Sequence, residues 1–366
     1  MATDLSYDRA RAAHGTTAEQ GNRPLVGWLL FCAFMVFAMA VIGAITRLTE
    51  SGLSIMEWAP LTGTLPPLSD AEWQRLFALY KTIPQYQQLN TGMSLAEFKT
   101  IFWWEYVHRL WGRTIGLVFA LPLAWFWWRG HLAAWLKPHL LILLGLGALQ
   151  GVMGWYMVAS GFAERVSVSQ YRLALHLTLA IFIYGYILWL VFRLVWPDAG
   201  ENSLRGSLFW LRRSLLGLVL LLAVTLVSGA FVAGLNAGLT YNSFPLMDGR
   251  LVPDGYGQLS PWILNLFETI AAVQFNHRLL ASLTLVGALG LFLWSLHLPL
   301  GTPARWAMAL LALAAVGQFT LGVVTLLQMV PVSLGALHQA GALLLLTALL
   351  HALYRLRPRP RDGTAA

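Results

Sequence analysis

The sequence predicts an all-α integral membrane protein whose eight transmembrane helices form two tandem four-helix bundles related by internal duplication. Hydrophobic residues make up 58% of the 366 residues and charged residues only 11%, whereas soluble domains average about 45–50% and about 25%. Eight apolar stretches are long enough to cross a bilayer. In addition, short motifs of the first half of the chain recur in the second half.

Each apolar stretch approaches the length of about 20 residues that a helix needs to cross the hydrocarbon core. We place the spans, with ends good to about 3 residues, at about 25–46, 106–128, 138–159, 172–195, 210–234, 271–295, 304–327 and 334–355. The long connections, 47–105 and 235–270, each follow the first span of a four-span set. In the first of them, Ser69 is a candidate N-cap for a short surface helix from Asp70 to Tyr80.

The distribution of lysine and arginine predicts the orientation of the chain. With the N-terminus inside, most of the 24 lysines and arginines fall in inner segments, and the outer loop between spans seven and eight has none. The positive-inside rule therefore predicts that residues 1–24 and 356–366 are cytoplasmic tails. The net charge of +8 then reflects topology and contact with anionic lipid rather than nucleic-acid binding.

The chain has a single cysteine, Cys32, which lies inside an apolar run. One cysteine excludes an intramolecular disulfide, a cysteine-ligated iron–sulfur cluster and covalent haem attachment through a C-x-x-C-H motif.

Matched segments indicate the internal duplication, and the first two pairs are separated by the same shift of 186 residues. They are Val41–Ala44 with Val227–Ala230, Gly52–Ser54 with Gly238–Thr240, and Gln150–Gly154 with Gln318–Gly322. Four spans return a chain to its starting side, so both halves have the same topology. We expect an N-terminal half at 25–200 and a C-terminal half at 201–355, each with a site in its bundle core.

Four histidines take matching places near the outer ends of the even-numbered spans, namely His108, His176, His277 and His338. An ionisable side chain at membrane depth indicates a functional site. Two imidazoles from facing helices can ligate one haem iron along its axis, whereas zinc usually takes four tetrahedral ligands. We predict one haem in each half. The sequence leaves open the alternative that these are buried histidines bonded to backbone carbonyls.

An arginine directly follows the first histidine of each pair, at Arg109 and Arg278. A guanidinium is a good partner for a carboxylate such as a haem propionate. We therefore predict that both arginines bind the cofactor.

The repeated phrase contains a carboxylate in the first half alone. Glu105 stands three residues before His108, and Gln274 takes the equivalent place before His277. A carboxylate can act as a base or stabilise positive charge that develops on a substrate, so Glu105 is the predicted catalytic residue. The alternative is a structural ion pair with Arg109 or Arg113.

These motifs resemble the haem A synthase family, in the variant typical of alphaproteobacteria and mitochondria. The resemblance lies in Glu105–Arg109, Asn276–Arg278, His176, His338, Arg47–Ser54 and Met56–Trp58, and it covers roughly residues 25–355. It implies an oxidoreductase of the bacterial inner membrane that acts on a CH group. Its reaction oxidises a ring methyl of haem O to a formyl group, through hydroxylated intermediates, and gives haem A for cytochrome c oxidase.

The resemblance also implies the role of each half. Glu105, His108 and His176 would form the substrate site for haem O, while His277 and His338 would ligate a resident haem b. Some family members carry cysteine pairs in their outer loops, and this sequence lacks them.

Besides haem O, the expected partners include membrane lipid, with haem O synthase, cytochrome c oxidase assembly factors and further copies of the chain as candidates. No nucleic-acid partner is expected. The competing functions are a diheme b-type electron-transfer or quinol-reacting protein without haem modification, and a haem-handling transporter or chaperone.

Overall fold

A computed structural model describes residues 3–59, 62–162, 166–201 and 205–358, with side chains from residue 23 onward. Its helices are α1 (Thr3–Leu48), α2 (Asp70–Tyr80), α3 (Pro84–Leu89), α4 (Leu95–Trp128), α5 (Leu136–Ala159), α6 (Gln170–Val195), α7 (Ser207–Gly234), α8 (Asn265–Glu268), α9 (Ile270–Ser295), α10 (Thr302–Leu327) and α11 (Val332–Arg355). Those described residues form no β-sheet. Eight helices are long and apolar enough to cross a membrane: α1 from Arg23 onward, α4, α5, α6, α7, α9, α10 and α11. The predicted all-α class and the eight spans are confirmed.

The predicted start of the second span was wrong, because α4 begins at Leu95 rather than near residue 106. Ser94 and Glu97 form a capping box there: Ser94 Oγ accepts from the Glu97 amide at 3.3 Å, and Glu97 Oε2 accepts from the Ser94 amide at 2.8 Å. The added turns contain polar residues and therefore escape a search for apolar runs.

Helix α1 also begins earlier than its apolar part, at Thr3. The proposed tails lie largely outside the residues whose side chains are described.

Each half closes a ring of four helices. In the N-terminal half, α1 and α5 each contact both α4 and α6, so α4 and α6 lie diagonally opposite. In the C-terminal half, α7 and α10 each contact both α9 and α11 in the same way. The halves meet through α1 and α6 on one side and α7 and α11 on the other. This is the arrangement that the proposed duplication requires.

The main apolar core joins both halves at one end of the bundle. Leu29, Leu140, Leu211 and Leu349 come from four different helices, and each is fully buried. In a bilayer these leucines stabilise the bundle through van der Waals packing between helices, because lipid tails are as apolar as leucine. The four histidines lie toward the other end of the helices, so the packed core and the candidate site occupy different levels of the molecule.

A layer of aromatic side chains covers the N-terminal part of α4. Ser69 Oγ accepts from the Glu72 amide at 3.2 Å and caps α2, which confirms the predicted surface helix. Trp73 of this helix meets Phe102 of α4 edge-on, with ring centroids 4.8 Å apart. This layer holds the start of α4 against the loop that precedes it.

Candidate functional site

Each of the four histidines packs against a glycine of a neighbouring helix. A Cβ atom added to the glycine would lie 3.3 Å from His108 Nε2 at Gly43, 3.2 Å from His176 Cε1 at Gly154, 3.0 Å from His277 Cε1 at Gly229 and 2.8 Å from His338 Cε1 at Gly322. Real Cβ atoms rarely or never approach so closely. The glycines therefore make room for the imidazoles, and they place all four rings near the C-terminal ends of α1, α5, α7 and α10.

The histidines of each half come from diagonally opposite helices, α4 with α6 and α9 with α11. A four-helix bundle builds cofactor sites in this way, from side chains that project inward on facing helices. The predicted pairing of His108 with His176, and of His277 with His338, is compatible with this placement.

A glutamine holds the second histidine of each pair. Gln150 Nε2 donates to the His176 carbonyl at 3.1 Å and lies 3.2 Å from its Nδ1. Gln318 Nε2 donates to the His338 carbonyl at 2.9 Å and lies 3.1 Å from its Nδ1. Both halves therefore support this histidine through a glutamine amide, although Gln150 Nε2 also lies 3.3 Å from His176 Nε2.

The first histidine of each pair is supported differently in the two halves. Ser228 Oγ lies 2.9 Å from His277 Nδ1 and donates its own proton to the Thr225 carbonyl at 2.7 Å. With the serine hydroxyl donating to Thr225, its oxygen can accept the Nδ1–H of His277, and that tautomer leaves Nε2 without a proton and free to ligate a metal. His108 forms no side-chain hydrogen bond with any residue in the described part of the chain.

The two arginines anchor the long loops that follow α1 and α7 at equivalent points. Arg109 donates to the carbonyls of Ile55 at 2.6 Å and Glu57 at 2.9 Å. Arg278 donates to the carbonyls of Tyr241 at 2.5 Å and Ser243 at 2.8 Å, each 186 residues further along the chain than its counterpart.

The predicted contact of these arginines with haem propionates stays a prediction. Within the described residues, the Nε atom of Arg278 is buried without a hydrogen-bond partner. That N–H group could donate to a carboxylate on a bound ligand.

Glu105 is almost fully buried and accepts four hydrogen bonds. Its Oε2 accepts from Ser54 Oγ at 2.7 Å and the Ile55 amide at 2.8 Å, and its Oε1 accepts from Arg109 at 2.5 and 2.9 Å. The side chains of Glu105 and Arg109 are 3% and 11% exposed. The ion pair with Arg109 that the sequence left open is therefore present, and the carboxylate lies on α4 with His108.

Gln274 fills the matching place: its Oε1 accepts from Arg278 at 3.3 Å, but its Nε2 is a donor where Glu105 has an acceptor. Its Nε2 donates to the carbonyls of Ala237 at 2.9 Å and Thr240 at 2.6 Å. The amide fits because this loop presents acceptors, whereas the loop around Ser54 presents donors. The Glu/Gln difference is thus built into the two loops as well as into the helices.

Sequence reasoning found the histidines, Glu105 and the arginines but missed their supports. The glycines, Gln150, Gln318 and Ser228 all lie inside the repeated segments that indicated the duplication. The signal was therefore present as glycines and glutamines that recur in both halves, at separations from the histidines that differ between the halves.

The residues present fit a haem in each half. Two imidazoles per half project from diagonal helices, glycines remove side-chain bulk beside them, and the Nδ1 atom of His277 is already engaged by Ser228. Groups of three or more His, Cys, Asp or Glu that could hold a single metal ion are absent from the described residues. This donor set suits axial ligation of an iron porphyrin better than a zinc site.

A cavity of about 180 Å³ adjoins the first-half site. It lies between the C-terminal end of α5 and the loop that carries Met56 and Trp58, and Arg109 is in its wall. The Arg109 guanidinium lies 5.4 Å from the centre of the Trp58 ring. The cavity therefore combines an apolar lining with one cation.

Replacing Gly322 by alanine should weaken haem binding in the C-terminal half. The new Cβ would lie 2.8 Å from His338 Cε1, and such overpacking costs about 1–3 kcal/mol, so haem affinity should fall by roughly tenfold. Gly317→Ala on the same helix is the control, because its Cβ would have no neighbour within 4 Å. Haem per purified chain, measured as the pyridine haemochrome, checks this. Equal haem content in both variants would contradict it.

Sequence comparisons relate the whole helical region to known proteins. A family model described as "Cytochrome oxidase assembly protein" matches residues 26–350. The "Heme A synthase" of Rhodospirillum centenum is 52% identical over 99% of this chain and 96% of its own length. Proteins of the same name from Nitrosospira multiformis and Rhodopseudomonas palustris are each 48% identical, over 92% and 96% of this chain and 94% and 96% of their own lengths. The similarity thus extends from the first apolar helix to the last.

Proposed function

Because the chain belongs to the cytochrome oxidase assembly protein family, we propose that this multi-pass membrane protein acts as a haem A synthase and converts haem O to haem A. One observation carries the proposal: relatives with that name are 48–52% identical over at least 92% of this chain. The two pairs of histidines on diagonal helices agree with it, because a haem is the ligand that such pairs hold.

We assign the substrate to the N-terminal half and haem b to the C-terminal half. His108 and His176 would ligate the iron of haem O, and His277 and His338 would ligate haem b. The assignment is supported by Glu105, a buried carboxylate in the first half where the second half has the neutral Gln274. When bound, haem b supplies one-electron redox chemistry.

Glu105 acts in this scheme as a fixed negative charge. Both of its oxygens already accept two hydrogen bonds each, so neither is left free to bind and deprotonate a water. A preorganised charge next to the substrate stabilises positive character that develops on the methyl carbon during oxidation. We therefore favour charge stabilisation over general-base catalysis for this residue.

The reaction class follows from the substrate and product. Conversion of a ring methyl to a formyl group is an oxidation at a CH group, which makes the enzyme an oxidoreductase.

We further propose that both termini are cytoplasmic and that the four histidines lie near the outer face of a bacterial inner membrane. Haem O synthase and cytochrome c oxidase assembly factors are proposed partners, because they would supply the substrate or take the product.

Pigment extraction tests this function. The chain is expressed in a host that makes haem O but no haem A, and the haems are separated by chromatography. We expect haem A to appear with the wild-type chain and to be absent from the empty-vector strain. A protein that accumulates in the membrane with bound haem yet yields no haem A would instead support the diheme electron-transfer alternative.

A further inference from the structure

The first histidine of each pair is hydrogen-bonded differently in the two halves, and packing does not explain the difference. Gly43 and Gly229 occupy the same place in the repeat, and each contacts the first histidine of its half. The residue before each glycine is Ile42 in the first half and Ser228 in the second. An isoleucine has no atom that can hydrogen-bond to an imidazole.

The ring orientations differ together with this residue. His277 points its Cε1 atom toward Gly229, 3.0 Å from the position of an added Cβ, with Nδ1 at 3.5 Å and Nε2 at 3.7 Å, and Nδ1 is bonded to Ser228. His108 instead turns its Nε2–Cδ2 edge toward Gly43, at 3.3 and 3.7 Å. Ser228 thus occupies Nδ1 of His277, whereas the Nε2 of His108 faces Gly43 of α1.

We propose that Ser228 fixes the ring of His277, so that the C-terminal half holds its haem permanently. Ile42 cannot fix His108 in this way, so that the N-terminal half can bind and release its haem. The proposal rests on the proposed function, in which one haem stays while the other enters as substrate and leaves as product. A hydrogen-bond acceptor on Nδ1 orients the ligand and increases its basicity. Gln150 and Gln318 each contact the second ligand at its Nδ1 and its carbonyl, so the larger difference between the halves lies at the first ligand.

The test uses Ser228→Ala in the purified full-length protein. Loss of haem b is followed by its transfer to excess apomyoglobin, and we expect the rate to rise by about tenfold or more, as is usual when a partner of a metal-bound histidine is removed. The midpoint potential of haem b should shift upward, because a less basic imidazole stabilises ferric iron less. Ser228→Thr keeps a hydroxyl at this place and should restore both values.

Ser282→Ala is the matched control, because Ser282 also donates to a helix carbonyl, that of Arg278 at 2.8 Å. It should leave the transfer rate and the potential unchanged. Ile42→Ser tests the other half: more haem O or haem A should remain with the purified protein, and product release should slow. Ile42→Ser still tests the proposal if the Ser228→Ala protein does not accumulate.

The proposal is overturned if Ser228→Ala has the transfer rate and potential of Ser282→Ala, or if Ile42→Ser retains no more haem than wild type. Haem b retention is measured without turnover, so it is independent of the proposed reaction. If the wild-type chain forms no haem A, the proposed function is refuted. If Ser228→Ala releases haem b faster in the same experiments, the role of Ser228 still stands.

Discussion

His277→Ala is expected to yield a folded protein that has lost haem b. The imidazole is one of the two proposed axial ligands, and alanine offers the iron no replacement. Absorption spectra of the purified variant should lack the bands of a bis-imidazole haem b. Because the removed side chain leaves a space beside Gly229, added free imidazole should restore part of the signal. Such rescue would separate loss of a ligand from misfolding.

The control for this variant is His297→Ala. His297 is an exposed residue beyond the end of α9, and its replacement should leave the spectrum unchanged. A His277→Ala protein with the wild-type haem b spectrum would refute the ligand assignment.

Glu105→Gln should abolish most haem A formation while haem b is retained. The amide keeps the size of the side chain but removes the charge, and removal of one preorganised group of this kind commonly lowers the rate by about 10²–10³-fold. The measurement is haem A formed per chain in membranes that contain haem O. Haem b serves as an internal standard, because Glu105 lies in the other half of the molecule.

Glu105 also anchors a loop, and Ser54→Ala separates the two roles. This variant removes one donor to Oε2, at 2.7 Å, but leaves the carboxylate and its bond from the Ile55 amide. If the charge is what matters, Ser54→Ala should retain most activity. Equal losses in Ser54→Ala and Glu105→Gln would show that loop anchoring, rather than charge, is the function of Glu105.

The histidines could be predicted from the sequence because an ionisable side chain inside an apolar run is costly and therefore conspicuous. The spans could be predicted for the same reason, since apolar length is the dominant constraint in a bilayer. The start of α4 escaped prediction because its first turns are of mixed polarity. The capping-box residues Ser94 and Glu97 carried that information.

The hydrogen-bond partners of the arginines could not be predicted. The acceptors of Arg109 are backbone carbonyls of Ile55 and Glu57, 54 and 52 residues away in the chain. Every residue has a backbone carbonyl, so the sequence does not show whether an arginine binds a loop carbonyl or a haem propionate. Likewise, Ser228 places a hydroxyl where the first half has the apolar Ile42, and the hydroxyl is seen to matter only when His277 is found beside it.

The haem types bound by purified His108→Ala and His277→Ala, compared side by side from a host that makes haem O, test the two-site account most directly. The account predicts that His108→Ala keeps haem b but binds neither haem O nor haem A, while His277→Ala loses haem b. If both variants lost the same haem, or if His108→Ala lost haem b and kept haem O, the assignment of one haem to each half would be contradicted.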